Sequence, residues 1–101
     1  MRISDDKLRG KTVIEAGGQA LGQVEALILE TDRWSVEGLE IRPRREVASQ
    51  LGSARRLGRP NNAEIPIRTV KSVGDAILLS LSLDELGALL TGAAREGAPL
   101  Y

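Results

Sequence analysis

Residues 12–24, TVIEAGGQALGQV, carry the clearest structural signal in the chain. A short β-branched run stops at the glycine pair Gly17 and Gly18, and a second apolar run begins at Leu21. Two adjacent glycines adopt positive φ without a steric penalty, which favours a tight turn between paired strands. The stretch therefore predicts a β-hairpin in the first quarter of the chain.

Short apolar runs separated by turn residues continue along the chain. Leu21 to Glu30 predicts a long strand that is apolar on both faces, so one end of it needs a cover besides the sheet core. Residues 35–42 predict a third strand whose alternation breaks at Gly38, which indicates a bulge or bend. Pro66 places the next run at a sheet edge, because proline cannot donate to the ladder. A glycine-led turn then introduces an apolar strand over residues 76–81.

Two helices complete the pattern. Residues 44–51 fit a short helix with its apolar residues on one face. Ser82 and Glu85 form a capping box, which predicts a helix over residues 83–91 that ends at Gly92. The fold class that follows is all-β: a small antiparallel β-barrel, made of two small sheets packed orthogonally, with two helices attached.

Length and composition limit the classes of function. A chain of 101 residues is one domain by length, and we expect that domain over residues 8–91, with a flexible arm over 1–7 and a mobile tail over 92–101. Histidine and cysteine are both absent, which removes the commonest general base, a leading metal ligand and all thiolate chemistry. We therefore expect neither an enzyme nor a metal or cofactor site.

Charge and hydropathy limit the partners and the location. The 14 basic and 14 acidic residues balance, which argues against a dedicated nucleic-acid binder, since such proteins usually carry a basic excess. No apolar run approaches the roughly 20 residues of a membrane-spanning helix. The first six residues lack the apolar core of a signal peptide. These features predict a cytoplasmic protein without a membrane span.

Two groups of residues allow a chemical interpretation, and for each we prefer a structural one. Gly17, Gly18 and Gly22 could cradle a phosphate, but they lack the dinucleotide-binding spacing and a following Walker lysine, so they fit a hairpin turn. Acidic residues around strands two and three could pair or hold a divalent cation, but their alternation fits a solvated sheet face. These acidic residues are Glu25, Glu30, Asp32, Glu37 and Glu40.

A basic segment follows the third strand and has three interpretations. It could be an ordinary solvated loop and helix, a surface for an acidic protein partner or a second copy, or a nucleic-acid patch. Its arginines are Arg42, Arg44, Arg45, Arg55, Arg56 and Arg59. Nucleic acid is the least favoured, because the chain has one tryptophan and one tyrosine with which to stack bases.

Several apolar residues are not required for the barrel core, and these form a candidate interface. Trp34 follows the turn after strand two, where it could close the end of the barrel or anchor a partner; we expect closure. The leucines of the last helix could cover the open end of the barrel in the same chain or dock on a second copy, and we expect part of each. The candidate interface is Leu27, Leu29, Trp34, Leu83, Leu86, Leu89 and Leu90.

The assembled pieces resemble the PRC-barrel domain, over nearly the whole chain. The resemblance lies in the order and spacing of Leu8-Arg9-Gly10-Lys11-Thr12-Val13, Gly18-Gln19-x-Leu21-Gly22-x-Val24, Trp34-x-Val36-x-x-Leu39-x-Ile41 and Ile65-Pro66-x-x-x-Val70-x-x-Val73-Gly74-Asp75. It implies a compact antiparallel barrel that serves as an adaptor or assembly module. Some relatives bind a ribosomal protein, some belong to photosynthetic complexes, and some archaeal members are linked to cell division. The resemblance carries over no catalytic residue.

These observations lead to one main hypothesis and one alternative. The main hypothesis is a non-catalytic protein-interaction barrel that forms a homodimer and docks an unidentified protein partner. The alternative is an RNA- or ribosome-associated module that uses the segment from Arg42 to Arg59.

Overall fold

A computed structural model describes residues 1–51 and 61–97 of the chain. Its elements are α1 (Asp5–Leu8), β1 (Thr12–Ile14), β2 (Ala20–Glu30), β3 (Ser35–Pro43), α2 (Arg45–Leu51), β4 (Ala63–Pro66), a 3₁₀ turn (Ile67–Thr69), β5 (Val70–Val73), β6 (Ile77–Leu79) and α3 (Leu83–Gly97). The described part is therefore mostly β, with a few short helices, as the sequence predicts.

The strands form one mixed sheet, and this corrects the predicted antiparallel barrel. The order in the six-stranded sheet is β4-β3-β2-β1-β6-β5. All neighbours are antiparallel except β1 and β6, which pair in parallel at Val13–Ile77 and Ile14–Leu78. A parallel pair needs a long crossover, and the chain between β1 and β6 supplies it. The described strands form one continuous, unclosed hydrogen-bonded sheet, with β4 and β5 as its two edges.

Glycine-dependent irregularities shape the long β2–β3 hairpin. Ile28 pairs with Gly38, and the next pair is Leu29–Val36, so Glu37 is an extra residue on β3. This confirms a bulge beside Gly38. A Cβ at Gly38 would lie 2.7 Å from the Ile65 carbonyl oxygen of β4, so the close approach of the two strands requires glycine.

The core is aliphatic and lies between one face of the sheet and two helices. Leu21, Leu39 and Ile41 are fully or almost fully buried from the sheet side. Helix α2 contributes Val47 and Leu51, which are fully buried, and α3 contributes Leu86 and Leu90, of which Leu86 is fully buried. Because all of these belong to one cluster, the helices are part of the domain core rather than additions to a complete barrel.

The chain ends differ in two places from the sequence expectations. A helical turn, α1, lies within the stretch predicted as a flexible arm, and Arg9 Nη2 bonds Asp5 Oδ2 across it at 2.9 Å. Helix α3 continues through Gly92 to Gly97, so Gly92 is not its stop and the predicted tail begins inside the helix. One glycine inside a helix costs about 1 kcal/mol relative to alanine, and the alanines that follow Gly92 favour continuation of the helix.

Candidate interaction surfaces

The capping box confirms where α3 begins. The Ser82 amide donates to Glu85 Oε1 at 2.9 Å, and the Glu85 amide donates to Ser82 Oγ at 3.1 Å. This start point turns Leu86 and Leu90 toward the sheet, where both are buried in the core of their own chain. They are therefore not available as an interface, which corrects part of the predicted set. Leu83 and Leu89 are half-buried, and Leu83 packs against the same core.

The tip of the β2–β3 hairpin carries three exposed apolar side chains, which we call the hairpin patch: Leu29, Trp34 and Val36. Trp34 is 77% exposed and Leu29 is 51% exposed. Leu29 and Val36 are cross-strand partners and so share one face of the hairpin. Leu27, also predicted for the interface, is half-buried and packs against the core.

Trp34 does not close the end of the sheet, contrary to our expectation. Its φ is 52°, and it is the one non-glycine residue at positive φ among the described residues. A bulky residue in this region is uncommon, because its Cβ crowds the backbone and glycine or asparagine is preferred there. The turn thus places its largest side chain in solvent at a backbone position that suits a smaller residue.

The turn before Trp34 is held by one carboxylate. Glu30 accepts the Asp32 amide at Oε2 and the Arg33 amide at Oε1, each at 2.8 Å. These bonds satisfy backbone groups in the exposed loop and fix its course. The hairpin patch is therefore presented on a preorganised turn.

The basic segment is only partly described. Arg55, Arg56 and Arg59 lie outside the described residues. Arg42 extends across the sheet, with Nη2 3.4 Å from Gln23 Oε1 and Nη1 3.5 Å from Glu25 Oε2. Arg42 and Arg44 line an open cavity of about 290 Å³ together with Thr12, Gly22, Gln23 and Pro43. Arg45 is exposed at the start of α2.

The acidic residues do not all form a solvated face. Glu37 is exposed, as expected, but Glu40 is 6% exposed. The Asn62 side-chain amide donates to Glu40 Oε2 at 2.7 Å and to Glu25 Oε1 at 2.9 Å. Burial of Glu40 follows from its position in the middle of the sheet, where it pairs with Glu64 of β4 and Ala26 of β2. Among the described residues no cluster of three His, Cys, Asp or Glu side chains could hold a metal ion.

Glu15 is a structural residue that sequence analysis missed. Its carboxylate accepts three amides: Gln19 at 2.7 Å, Gly17 at 2.9 Å and Leu83, the first residue of α3, at 3.0 Å. The bonds from Gln19 and then Gly17 lower the pKa of Glu15; burial opposes them, and the bond from Leu83 adds to the lowering. The sequence signal for this role is the position of Glu15 directly before the glycine turn, where a carboxylate can accept the amides of the turn.

A shallow groove, which we call the β1–β6 groove, lies on the sheet face opposite the core. Val13, Ile77 and Leu79 point into the core, whereas Leu78 is 41% exposed on the outside beside its partner Ile14. The groove has a volume of about 480 Å³. Its lining includes Ile14, Glu15, Ala16, Lys71, Leu78 and Ser80.

The model of the PRC-barrel domain family matches residues 1–86 of the chain. The chain belongs to the PRC-barrel family. This confirms the resemblance that the sequence carries. A search among curated protein sequences finds no significant match.

Membership of the family indicates in general terms what kind of function these surfaces serve. PRC-barrel domains are generally small, non-catalytic protein-interaction modules. In this chain the buried Glu15, Glu40 and Asn62 bond neighbouring groups of the same fold, and the hairpin patch is exposed to solvent. In the described part of the chain, no helix combines the length and apolar character needed to cross a membrane.

Proposed function

We propose that this chain is a non-catalytic interaction module that self-associates and docks a protein partner, and that the hairpin patch is its anchor. The exposed Trp34 at positive φ carries the proposal. Tryptophan is among the residues most enriched at the energetic centres of protein interfaces, where it fills a pocket on the partner.

The backbone at Trp34 strengthens this assignment. A non-glycine residue in the left-handed region costs about 1 kcal/mol. With 77% of its surface exposed, the side chain returns little of that through burial in its own chain. The residue therefore works against local stability, which is the pattern of a side chain kept for a contact outside its own fold.

The geometry of the turn also fits an interface. A side chain presented on a fixed loop loses little conformational freedom when it binds, so more of its contact energy appears as affinity. Glu30 fixes this loop through the Asp32 and Arg33 amides. Leu29 and Val36 extend the apolar surface beside the anchor.

Sedimentation equilibrium of the wild type and of Trp34→Asn tests self-association. We expect the wild type to dimerise and the variant to bind itself at least about tenfold more weakly, the loss typical of a central aromatic anchor. Since asparagine suits positive φ, the variant should unfold at the same urea concentration or higher when both proteins are diluted to monomers. Ile3→Asn removes an exposed apolar side chain from another part of the chain and serves as the control. A wild type that stays monomeric at several hundred micromolar, or a variant that associates normally, contradicts the assignment.

The docked partner is tested with the same pair of proteins as baits in a host lysate. A protein retained by the wild type and lost from Trp34→Asn identifies a partner of the hairpin patch. A retained set that is identical for both baits contradicts docking through this patch.

A second candidate is an RNA-associated module, favoured by the cavity that Arg42 and Arg44 line. Two guanidinium groups beside the Thr12 hydroxyl and the Gln23 amide suit a phosphate group. RNA retention that falls steeply with salt in the wild type and weakens in Arg44→Gln supports it. Absence of retention at low salt removes it.

A further inference from the structure

The β1–β6 groove is apolar where a solvated strand would be polar. In an antiparallel or mixed sheet with one covered face, the other face usually carries polar side chains. Here the parallel pair Ile14 and Leu78 places two branched side chains next to each other on the uncovered face. The surface therefore needs a cover that the described part of the chain does not provide.

The polar groups around the groove do not converge on a small ligand. The Glu15 carboxylate accepts three backbone amides, and Ser80 Oγ lies 3.3 Å from the Thr69 carbonyl oxygen. Small-molecule sites normally combine an apolar lining with several polar groups aimed at the ligand. The lining holds one cation, Lys71, and one anion, Glu15, whose charge is offset by the three amides that it accepts. Lys71 is thus the charge left to attract a ligand, and the groove fits an apolar side chain that has carboxylates near it.

The hairpin patch combines a large apolar side chain with nearby carboxylates. Trp34 is preceded and followed by Glu30, Asp32 and Glu37, with Arg33 as the one basic residue of the turn. The turn is therefore acidic around a large apolar side chain, which complements an apolar groove with a lysine in its lining.

A chain cannot place its own patch in its own groove. The groove lies at Gly18, just before β2 begins, and Trp34 lies beyond Glu30, where β2 ends. The 11 residues of β2 span about 33 Å at roughly 3.3 Å per residue. Two copies in opposite orientation, however, bring each patch to the groove of the other, and the two identical contacts close a dimer with twofold symmetry.

We propose that a second copy of this chain is the occupant of the β1–β6 groove, with Trp34 of each copy inserted between Ile14, Leu78 and Lys71 of the other. This inference rests on the proposed self-association and names the surface that receives the patch. It differs from a dimer in which the two hairpin patches contact each other, and the two arrangements can be distinguished directly.

Because the sequence has no cysteine, an introduced cysteine is the single thiol of its variant, and cross-linking reports on that position alone. Arg33→Cys labels the turn beside Trp34 and leaves the anchor in place, and Ala16→Cys labels the groove lining. The two variants, one of them tagged so that masses differ, are mixed and treated with a short bis-maleimide. We expect cross-linked product in the mixture and little in either variant alone.

Cross-linking of Arg33→Cys with itself indicates contact between patches and overturns the inference while leaving the proposed function in place. Association without cross-linking in the mixture overturns it as well.

A double-variant cycle supplies the second measurement. Leu78→Asn should weaken self-association about as much as Trp34→Asn, by at least about tenfold. The unfolding midpoint of the diluted monomer should change little, because Leu78 is already exposed there. If the two side chains meet, the double variant binds hardly more weakly than either single variant. Losses that simply multiply show separate sites and contradict the inference. A wild type that does not associate at all refutes the proposed function itself, and sedimentation reveals that outcome before any cross-linking.

Charge exchange across the contact gives an independent check. Lys71→Glu should weaken association, and combining it with Asp32→Lys should restore part of the affinity. Absence of any restoration places Asp32 and Lys71 apart and counts against the arrangement.

Discussion

At the scale of the single residue, Glu15 joins parts of the chain that are 68 positions apart. Its carboxylate accepts the Gly17 and Gln19 amides of the first turn and the Leu83 amide at the start of α3. An ionised carboxylate with three amide donors is more stable than one in water, which is why the pKa of Glu15 is lowered, chiefly by the Gln19 amide. The side chain thus sets the position of α3 relative to the β1–β2 turn.

We expect Glu15→Gln to lower stability near neutral pH, because its NH₂ group faces a site built from donors. A carboxyl whose folded pKa lies below its unfolded value contributes fully above about pH 4.3 and loses that contribution as pH falls through the folded pKa. The gap in urea midpoint between wild type and variant should therefore shrink between about pH 5 and about pH 3. Glu37→Gln, at an exposed position, should change little at either pH. A gap that stays constant contradicts a role for the carboxylate charge.

The sequence does not mark Glu15 for its role, and it marks Trp34 as an anchor only as one of two alternatives. Glu15 has three donors only because folding brings Leu83 to the first turn, which no local pattern encodes. We expected Trp34 to close the end of the barrel because large aromatics usually bury, and its exposure goes with a backbone angle that the sequence does not show.

At the scale of the element, the β3 strand shows how a glycine controls the approach of its neighbour. Gly38 pairs with Ile28 on one side and with Pro66 on the other. The absent side chain lets the Ile65 carbonyl come close, and the adjacent bulge bends the hairpin that presents the hairpin patch.

Gly38→Ala should destabilise the protein by about 1–3 kcal/mol, because the added methyl meets backbone atoms rather than a movable side chain. Gly74→Ala is the matched control, since a Cβ there has nothing within 4 Å. Reduced freedom of the unfolded chain should make that control neutral or slightly stabilising, by up to about 1 kcal/mol. Urea unfolding measures both; equal losses for the two variants contradict the close-approach explanation.

Elements with local chemical signals are predicted well from the sequence. The glycine turn after β1, the bulge beside Gly38 and the capping box before α3 each depend on residues within a few positions, and the structure has all three. The parallel pairing of β1 with β6 depends on strands more than 60 residues apart, and both have three residues, too few to carry a periodic signal. The continuation of α3 through Gly92 has a local cause, since the residues that follow, Ala93, Ala94, Arg95 and Glu96, are strong helix formers that outweigh one glycine.

At the scale of the whole molecule, α3 is part of the core and not an addition on its surface. Leu86 is fully buried in the cluster that also holds Leu21, Ile41 and Leu51. Its side chain therefore links the helix to the sheet and to α2, and its loss affects the domain as a unit.

Leu86→Ala should lower the free energy of unfolding by about 2–5 kcal/mol, the range for a buried leucine that leaves a cavity. Leu89→Ala on the same helix should cost less, because Leu89 is only half-buried. Denaturant titration followed by circular dichroism measures both losses. A Leu86→Ala variant that keeps wild-type stability and loses only self-association would restore Leu86 to the interface.

The place of β1 in the sheet has a consequence for the order of folding. β2, β3 and β4 are neighbours in the sheet, and β2 and β3 form a direct hairpin, so β2–β3 can pair as soon as both have left the ribosome. β1 has only its β2 side satisfied until Ile77 arrives, since its other neighbour is β6. More than 60 further residues must therefore be synthesised before β6 can pair with β1, and until then one edge of the three-residue strand β1 is unpaired. Closure of the β1–β6 seam is then the late, non-local step of folding, and the same step creates the outer surface on which Ile14 and Leu78 meet.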